Sequence, residues 1–198
     1  MFQRGERMAD FIRYYPCVST LAGIQTLLYL ATWIPFFPAV AFYQSFSGTN
    51  IAIANGEWWR LISSIFIHRG FSHFFFNTIT LVLFAPPLEI MLKKIKFLLL
   101  YLLSGIFANA ATFLFMPLTY SHIGSSGAIF GLFGSFAAFL LVKPPLLADH
   151  HQKIIFPVVL IALLMTFIQT EVNIVSHLAG FACGFFMGIL YRKKLLVE

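Results

Sequence analysis

The chain has 198 residues, of which 60% are hydrophobic and only 10% charged, and its mean hydropathy is +0.87. Soluble domains carry roughly 25% charged residues, so this composition excludes an ordinary soluble domain and reads as an all-α, polytopic membrane protein. The formal net charge of +6 suits anionic lipid headgroups better than nucleic acid, and no nucleic-acid role is expected.

Apolar runs of about 20 residues mark helical spans. In chain order they predict six, at Val18 to Phe37, Phe71 to Leu88, Phe97 to Phe115, Ser126 to Val142, Ile154 to Gln169 and Val172 to Tyr191. Between Phe97 and Val142 there is no Asp, Glu, Lys or Arg, and Pro117 to Ser125 breaks the run with turn-forming residues, so the third and fourth spans form a hairpin. The basic start, the first apolar run and Ala39-Val40-Ala41 mimic a secretory signal. That run is longer than the 7 to 15 residues or so of such a signal, so it is read as a span, and residues 1–198 as a single membrane domain with nothing attached before it. Cys17 and Cys183 indicate no disulfide framework.

Lys and Arg collect on the cytoplasmic side of a membrane protein. With six spans, all of the 13 except Arg60 and Arg69 fall on the face that also holds both termini. Both ends are therefore expected in the cytoplasm. The long loop from Ala39 to Gly70 contains Glu57-Trp58-Trp59-Arg60, and paired indoles beside an Arg suit the headgroup level. Its bland role is a membrane anchor; a sharper one is guiding substrate or thinning the bilayer.

Polar residues inside apolar spans are costly and tend to mark a site. At 1.5 Å per residue, Ser126 lies about 6 Å below the outer surface, His177 about 8 Å and Asn77 about 9 Å, with His73 one turn above Asn77. Three helices thus carry polar side chains to one level. Small residues let helices in lipid approach closely. Gly180, Gly184 and Gly188 fall on the His177 face of the sixth span, and Gly127, Gly131 and Gly134 share a face of the fourth, so pairing these faces would bring Ser126 near His177.

A serine hydroxyl needs a base to become a nucleophile, and imidazole suits that role near neutrality. Ser126 also opens a helix, whose free N–H groups and dipole favour an oxyanion, and His73 and Asn77 at i and i+4 offer further donors. No acidic residue lies at this depth, so the expectation is a Ser–His dyad rather than a triad. Taken singly, each of these residues is more often hydrogen-bonding glue between helices, and the glycines are packing on either reading. His68 and His122 are expected to be solvated loop or interface residues. His150 and His151 beside Asp149 lack metalloprotease spacing, and no cofactor or metal motif occurs.

At this point the chain resembles the rhomboid family of intramembrane serine proteases over nearly its whole length. The landmarks are Glu57-Trp58-Trp59-Arg60, His73-Phe74-Phe75-Phe76-Asn77, Gly124-Ser125-Ser126-Gly127, and His177-Leu178-Ala179-Gly180 followed by Gly184. The resemblance implies Ser126 as nucleophile, His177 as base, and an oxyanion hole from the Ser126 N–H with the His73 and Asn77 side chains. It further implies single-span membrane proteins as substrates, cut near the outer face. Phe130 stands where the family carries Tyr or Phe against the catalytic imidazole, whereas Ala85-Pro86-Pro87 departs from a Gly-containing turn and leaves the end of the second span open. The alternative is a rhomboid-like scaffold that escorts membrane helices without cutting them. A small transporter would instead require ionisable groups at several depths and paired repeats. The absence of a signal or transit segment and the small size point to a bacterial plasma membrane.

Overall fold

The computed structural model describes residues 7–141, 149–168 and 172–195, with side chains described except at 149–152 and 193–195. The helices are α1 (Met8–Tyr14), α2 (Pro16–Ala31), α3 (Ala39–Phe46), α4 (Asn50–Ala54), α5 (Arg60–Ser63), α6 (Phe71–Phe115), α7 (Ser126–Leu140), α8 (Asp149–Ile168) and α9 (Ile174–Leu195). Two short strands, β1 (Gly48–Thr49) and β2 (Ser121–His122), pair antiparallel.

Helices occupy each of the six predicted apolar segments, with corrected ends. By length and apolarity, Phe71–Phe115 and Ile174–Arg192 are each able to cross a membrane, while Pro16–Ala31, Ser126–Leu140 and Lys153–Ile168 are shorter apolar helices. The first segment stops at Ala31 rather than Phe37, because Pro35 and Pro38 cannot extend a helix. The second and third segments are not separated by a loop. The backbone stays helical through Pro86 and Pro87 and breaks at Lys93, whose φ of 62° and ψ of 167° divide α6 into two halves. The predicted ends at Val142 and Gln169, the topology residues Arg4 and Lys143, and the side chains of His150, His151, Lys193 and Lys194 lie outside what is described.

The break at Lys93 sits beside a buried cap. The Glu89 carboxylate, 4% exposed, accepts the Cys17 N–H at 2.8 Å and the Val18 N–H at 2.9 Å, meeting free donors at the start of α2. Along α2 the buried residues Cys17, Leu21, Gln25 and Tyr29 recur every four positions, the stripe of a helix packed on one side. Cys17 and Leu21 of that stripe join one core with Leu81, Leu88, Phe97 and Tyr101 of α6 and Phe133, Phe136 and Phe139 of α7.

Among the described residues, α7 and α9 pack in close contact, and glycine is what permits it. A Cβ on Gly180 would run into the Gly127 carbonyl, and one on Gly184 into the Gly131 carbonyl. The predicted pairing of the two glycine faces is therefore the packing found. Backbone touches backbone along this seam, the geometry that small residues allow between membrane helices.

Candidate active site

Ser126 is the first residue of α7, and the segment before it is fixed from several sides. Gly124 has φ 106°, a conformation that L side chains rarely adopt, and a Cβ there would strike the His73 imidazole. Its N–H donates to the Ser64 carbonyl at 2.8 Å. Asn50 holds the chain just upstream, donating from Nδ2 to the carbonyls of Thr112, Met116 and Pro117 at 3.3, 3.2 and 3.0 Å. Strand β2 then pairs with β1, Gly48 opposite His122. The long loop after α2 thus forms the frame in which the Ser126 turn is built.

Arg60 is the anchor of that loop. It is 5% exposed and donates to the Glu57 carboxylate from Nε at 2.8 Å and from Nη2 at 2.5 Å, and from Nη1 to the Gln44 and Ser47 carbonyls at 2.7 and 2.8 Å. Trp59 Nε1 donates to the Ser45 carbonyl at 3.2 Å. Both residues are landmarks of the resemblance, and neither lines the cavity described next. Their contacts hold the loop together, while the Trp58 and Trp59 rings stay more than half exposed.

Ser126, His73, Asn77, Phe130 and His177 line one cavity of about 1030 Å³, at the upper end of the usual size of ligand pockets. Its walls come from the first half of α6, from α7, α8 and the start of α9, and from residues 120–123. Phe76, Phe84, Phe133 and Ile161 make the lining largely apolar. His177 lies within the first turn of α9, which Asn173 caps by accepting the Ser176 N–H on Oδ1 at 2.9 Å, while its Nδ2 donates to Thr112 Oγ1 at 2.9 Å.

The His177 imidazole is 8% exposed and stacks on Phe130, centroids 3.9 Å apart and planes 17° from parallel. Its Nδ1 lies 3.0 Å from Thr166 Oγ1. Among the described residues, that hydroxyl rather than Ser126 is the hydrogen-bond partner of the ring. A nucleophile–base contact commonly tightens only once substrate is bound.

Asn77 donates from Nδ2 to the His73 carbonyl at 2.8 Å and accepts the Ser125 hydroxyl on Oδ1 at 3.3 Å. The amide orientation is thereby set, and its second N–H remains for the cavity. Gly127, Gly180 and Gly184 sit in the α7–α9 seam rather than in the cavity.

Two residues correct the sequence reading. His68 is not a solvated loop residue: it is 1% exposed, its Nε2 accepts the Ser125 N–H at 3.3 Å, and its ring meets His73 edge-on at 5.3 Å. Burial, helped by the neighbouring His73, pulls its pKa down to about 3. His122 likewise has both ring nitrogens buried, and burial lowers its pKa to about 4. Hydropathy could not reveal this, since the groups that meet each ring are distant in sequence, Ser125 for His68 and Gly48 for His122. The spacing of His68, five residues before His73, was the available signal. Thr166 was missed altogether, because a lone Thr in an apolar helix carries no motif.

The sequence profile of the Rhomboid domain family matches residues 55–194. Rhomboid YdcA of Bacillus subtilis (strain 168) is 43% identical over 194 residues, covering 98% of each chain. The rhomboid protease GluP of the same organism is 36% identical over 137 residues, which are 69% of this chain but 27% of GluP. Rhomboid-like protease 1 of Toxoplasma gondii is 29% identical over 84% of this chain and 58% of its own length.

Proposed function

This chain belongs to the rhomboid family, and we propose that it is an intramembrane serine endopeptidase in which Ser126 is the nucleophile and His177 the general base. The reading takes the whole chain, 1–198, as one membrane domain of six spans with both termini cytoplasmic. A single observation carries it: Ser126, at the helix start of α7, and His177, on the glycine-packed α9, open onto the same largely apolar cavity.

The chemistry follows from those positions. Ser126 Oγ attacks the scissile carbonyl while its proton passes to His177 Nε2. The negative oxygen that forms is met by the Ser126 N–H, by the free Asn77 Nδ2–H and by the His73 ring, aided by the positive end of α7. Collapse of this intermediate breaks the C–N bond, and His177 returns the proton to the leaving amine. Water, activated by the same imidazole, then hydrolyses the acyl-enzyme. His177, Ser126 and the donors suffice for these steps, so no cofactor is required. Single-span membrane proteins are the proposed substrates, cut where the site opens near the outer face of a bacterial inner membrane, because an apolar cavity of this size suits a locally unwound transmembrane segment.

The test is covalent labelling of detergent-solubilised protein by a fluorophosphonate probe. Wild type is expected to label, and Ser126→Ala and His177→Ala to lose the label. Ser125→Ala is expected to retain the label, at a reduced rate because its hydroxyl helps to turn the Asn77 amide rather than acting as the nucleophile. Folded wild type that takes no label in detergent or in lipid would overturn the enzyme and leave the scaffold that escorts membrane helices uncut.

A further inference from the structure

We propose that Thr166 is the positioning residue for the general base, holding His177 as the Nδ1–H tautomer so that Nε2 is left free for the Ser126 proton. The inference rests on the serine-protease reading and deepens it, since a dyad without a carboxylate still needs something to select the tautomer and orient the ring.

Thr166 is 1% exposed and lies on the buried stripe of α8 with Ile155 and Val159, where it is the polar member. Its Oγ1 donates to the Ala162 carbonyl at 2.9 Å and lies 3.0 Å from His177 Nδ1. A hydroxyl has one proton and two acceptor positions. The Ala162 carbonyl only accepts, and we assign the single Thr166 proton to it, which leaves the hydroxyl as an acceptor toward His177. Nδ1 must then carry the hydrogen. In neutral imidazole one nitrogen donates and the other accepts, so Nε2 is unprotonated, the state that a base needs.

The two contacts of the ring are complementary. Phe130 sets the plane of the imidazole through a near-parallel stack. Thr166 sets the rotation within that plane, which a stack alone leaves free. A threonine supplies the geometry of the missing carboxylate without adding a second buried charge to an apolar wall. It places this determinant on α8, a helix different from those carrying Ser126 and His177.

The decisive comparison is Thr166→Val, which removes the acceptor at nearly constant volume, against Thr166→Ser, which keeps it. Two readouts are taken on the full chain in detergent: the rate of fluorophosphonate labelling, and the ¹⁵N imidazole signals of His177, assigned by difference from His177→Gln. Expected are an Nδ1–H tautomer in wild type and Thr166→Ser, and a mixed or Nε2–H population in Thr166→Val. Labelling should slow by roughly 10²-fold in Thr166→Val, the low end of general-base contributions, and recover in Thr166→Ser. An Nε2–H tautomer in wild type, or Thr166→Val labelling at the wild-type rate with an unchanged melting temperature, would overturn the proposal. Failure of wild type to label would instead strike the protease reading, and the imidazole signals would still decide the tautomer.

Discussion

Phe130 lies face to face with His177, ring centroids 3.9 Å apart, and the two residues come from different helices of the glycine seam. Phe130 is 6% exposed, so the stack is both packing and a template for the base. Replacing it with Ala removes the template and leaves a cavity. The expected result is about 3 to 5 kcal/mol of lost stability and labelling slowed on the order of tenfold, from the stacking contribution. Phe130→Tyr should keep the label. Melting curves together with labelling rates separate the two effects; an unchanged rate in folded Phe130→Ala would deny the ring its orienting role.

The seam itself is testable at Gly184. A Cβ there meets the Gly131 carbonyl and its attached carbons, all backbone, with nothing flexible to yield. Gly184→Ala should therefore cost at least about 1 to 3 kcal/mol as overpacking. At Gly23 no atom lies within 4 Å of an added Cβ, so Gly23→Ala in the interior of α2 should be neutral or raise stability by roughly 0.5 to 1 kcal/mol. Thermal melting in one detergent measures both, and equal effects at the two sites would contradict the close approach.

Arg60 makes its bonds to Glu57, Gln44 and Ser47 away from the cavity. Arg60→Ala should lower stability by about 3 kcal/mol, as expected for charge-assisted bonds lost at a buried position. Arg60→Lys should recover little, because an ammonium cannot span the carboxylate and two carbonyls as a guanidinium does. The fraction that remains folded should label at the wild-type rate. A slowed rate in folded Arg60→Lys would mean that the loop reaches the chemistry.

Acidification should act through His68 and His122. Their folded pKa values, about 3 and about 4, lie below the ordinary 6.5, so over the intervening range the unfolded chain binds more protons. Stability is then present above about pH 6.5 and is lost as pH falls toward those folded values, each group contributing at most about 1.4 kcal/mol per pH unit. Protonation of His68 would also remove the acceptor of the Ser125 N–H. His68→Gln, whose amide oxygen still accepts, should flatten the decline of melting temperature between pH 6.5 and 4. An unaltered slope would show that His68 is not among the groups resisting the proton.

Much of the site was legible because it obeys helix periodicity. Depth and spacing in Ser126, His177, Asn77 and His73 depend only on rise and turn per residue, and the structure places all four on one cavity. The glycine faces were legible for the same reason. What escaped was contributed by loops and by single side chains. The burial of His68 depends on residues 116–125 folding back under the long first loop, and the contact of Thr166 depends on how α8 leans on α9. Neither leaves a periodic trace. The helix ends moved for local reasons, with Pro35 stopping α2 early and Glu89 with Lys93 turning the chain where the diproline did not.

By itself, then, the sequence determined that the chain is apolar and helical, which residues share a helix face, and which motifs mark the family, because those properties are written in composition and in the repeat of one helix. The tertiary structure decided which nitrogen of His177 is bound to Thr166, how the Asn77 amide is turned, and which loop histidines are shut away from water. These are relations between residues far apart in sequence, set by the packing of separate helices and by the pairing of each hydrogen-bonding group with the particular neighbour that packing brings within reach.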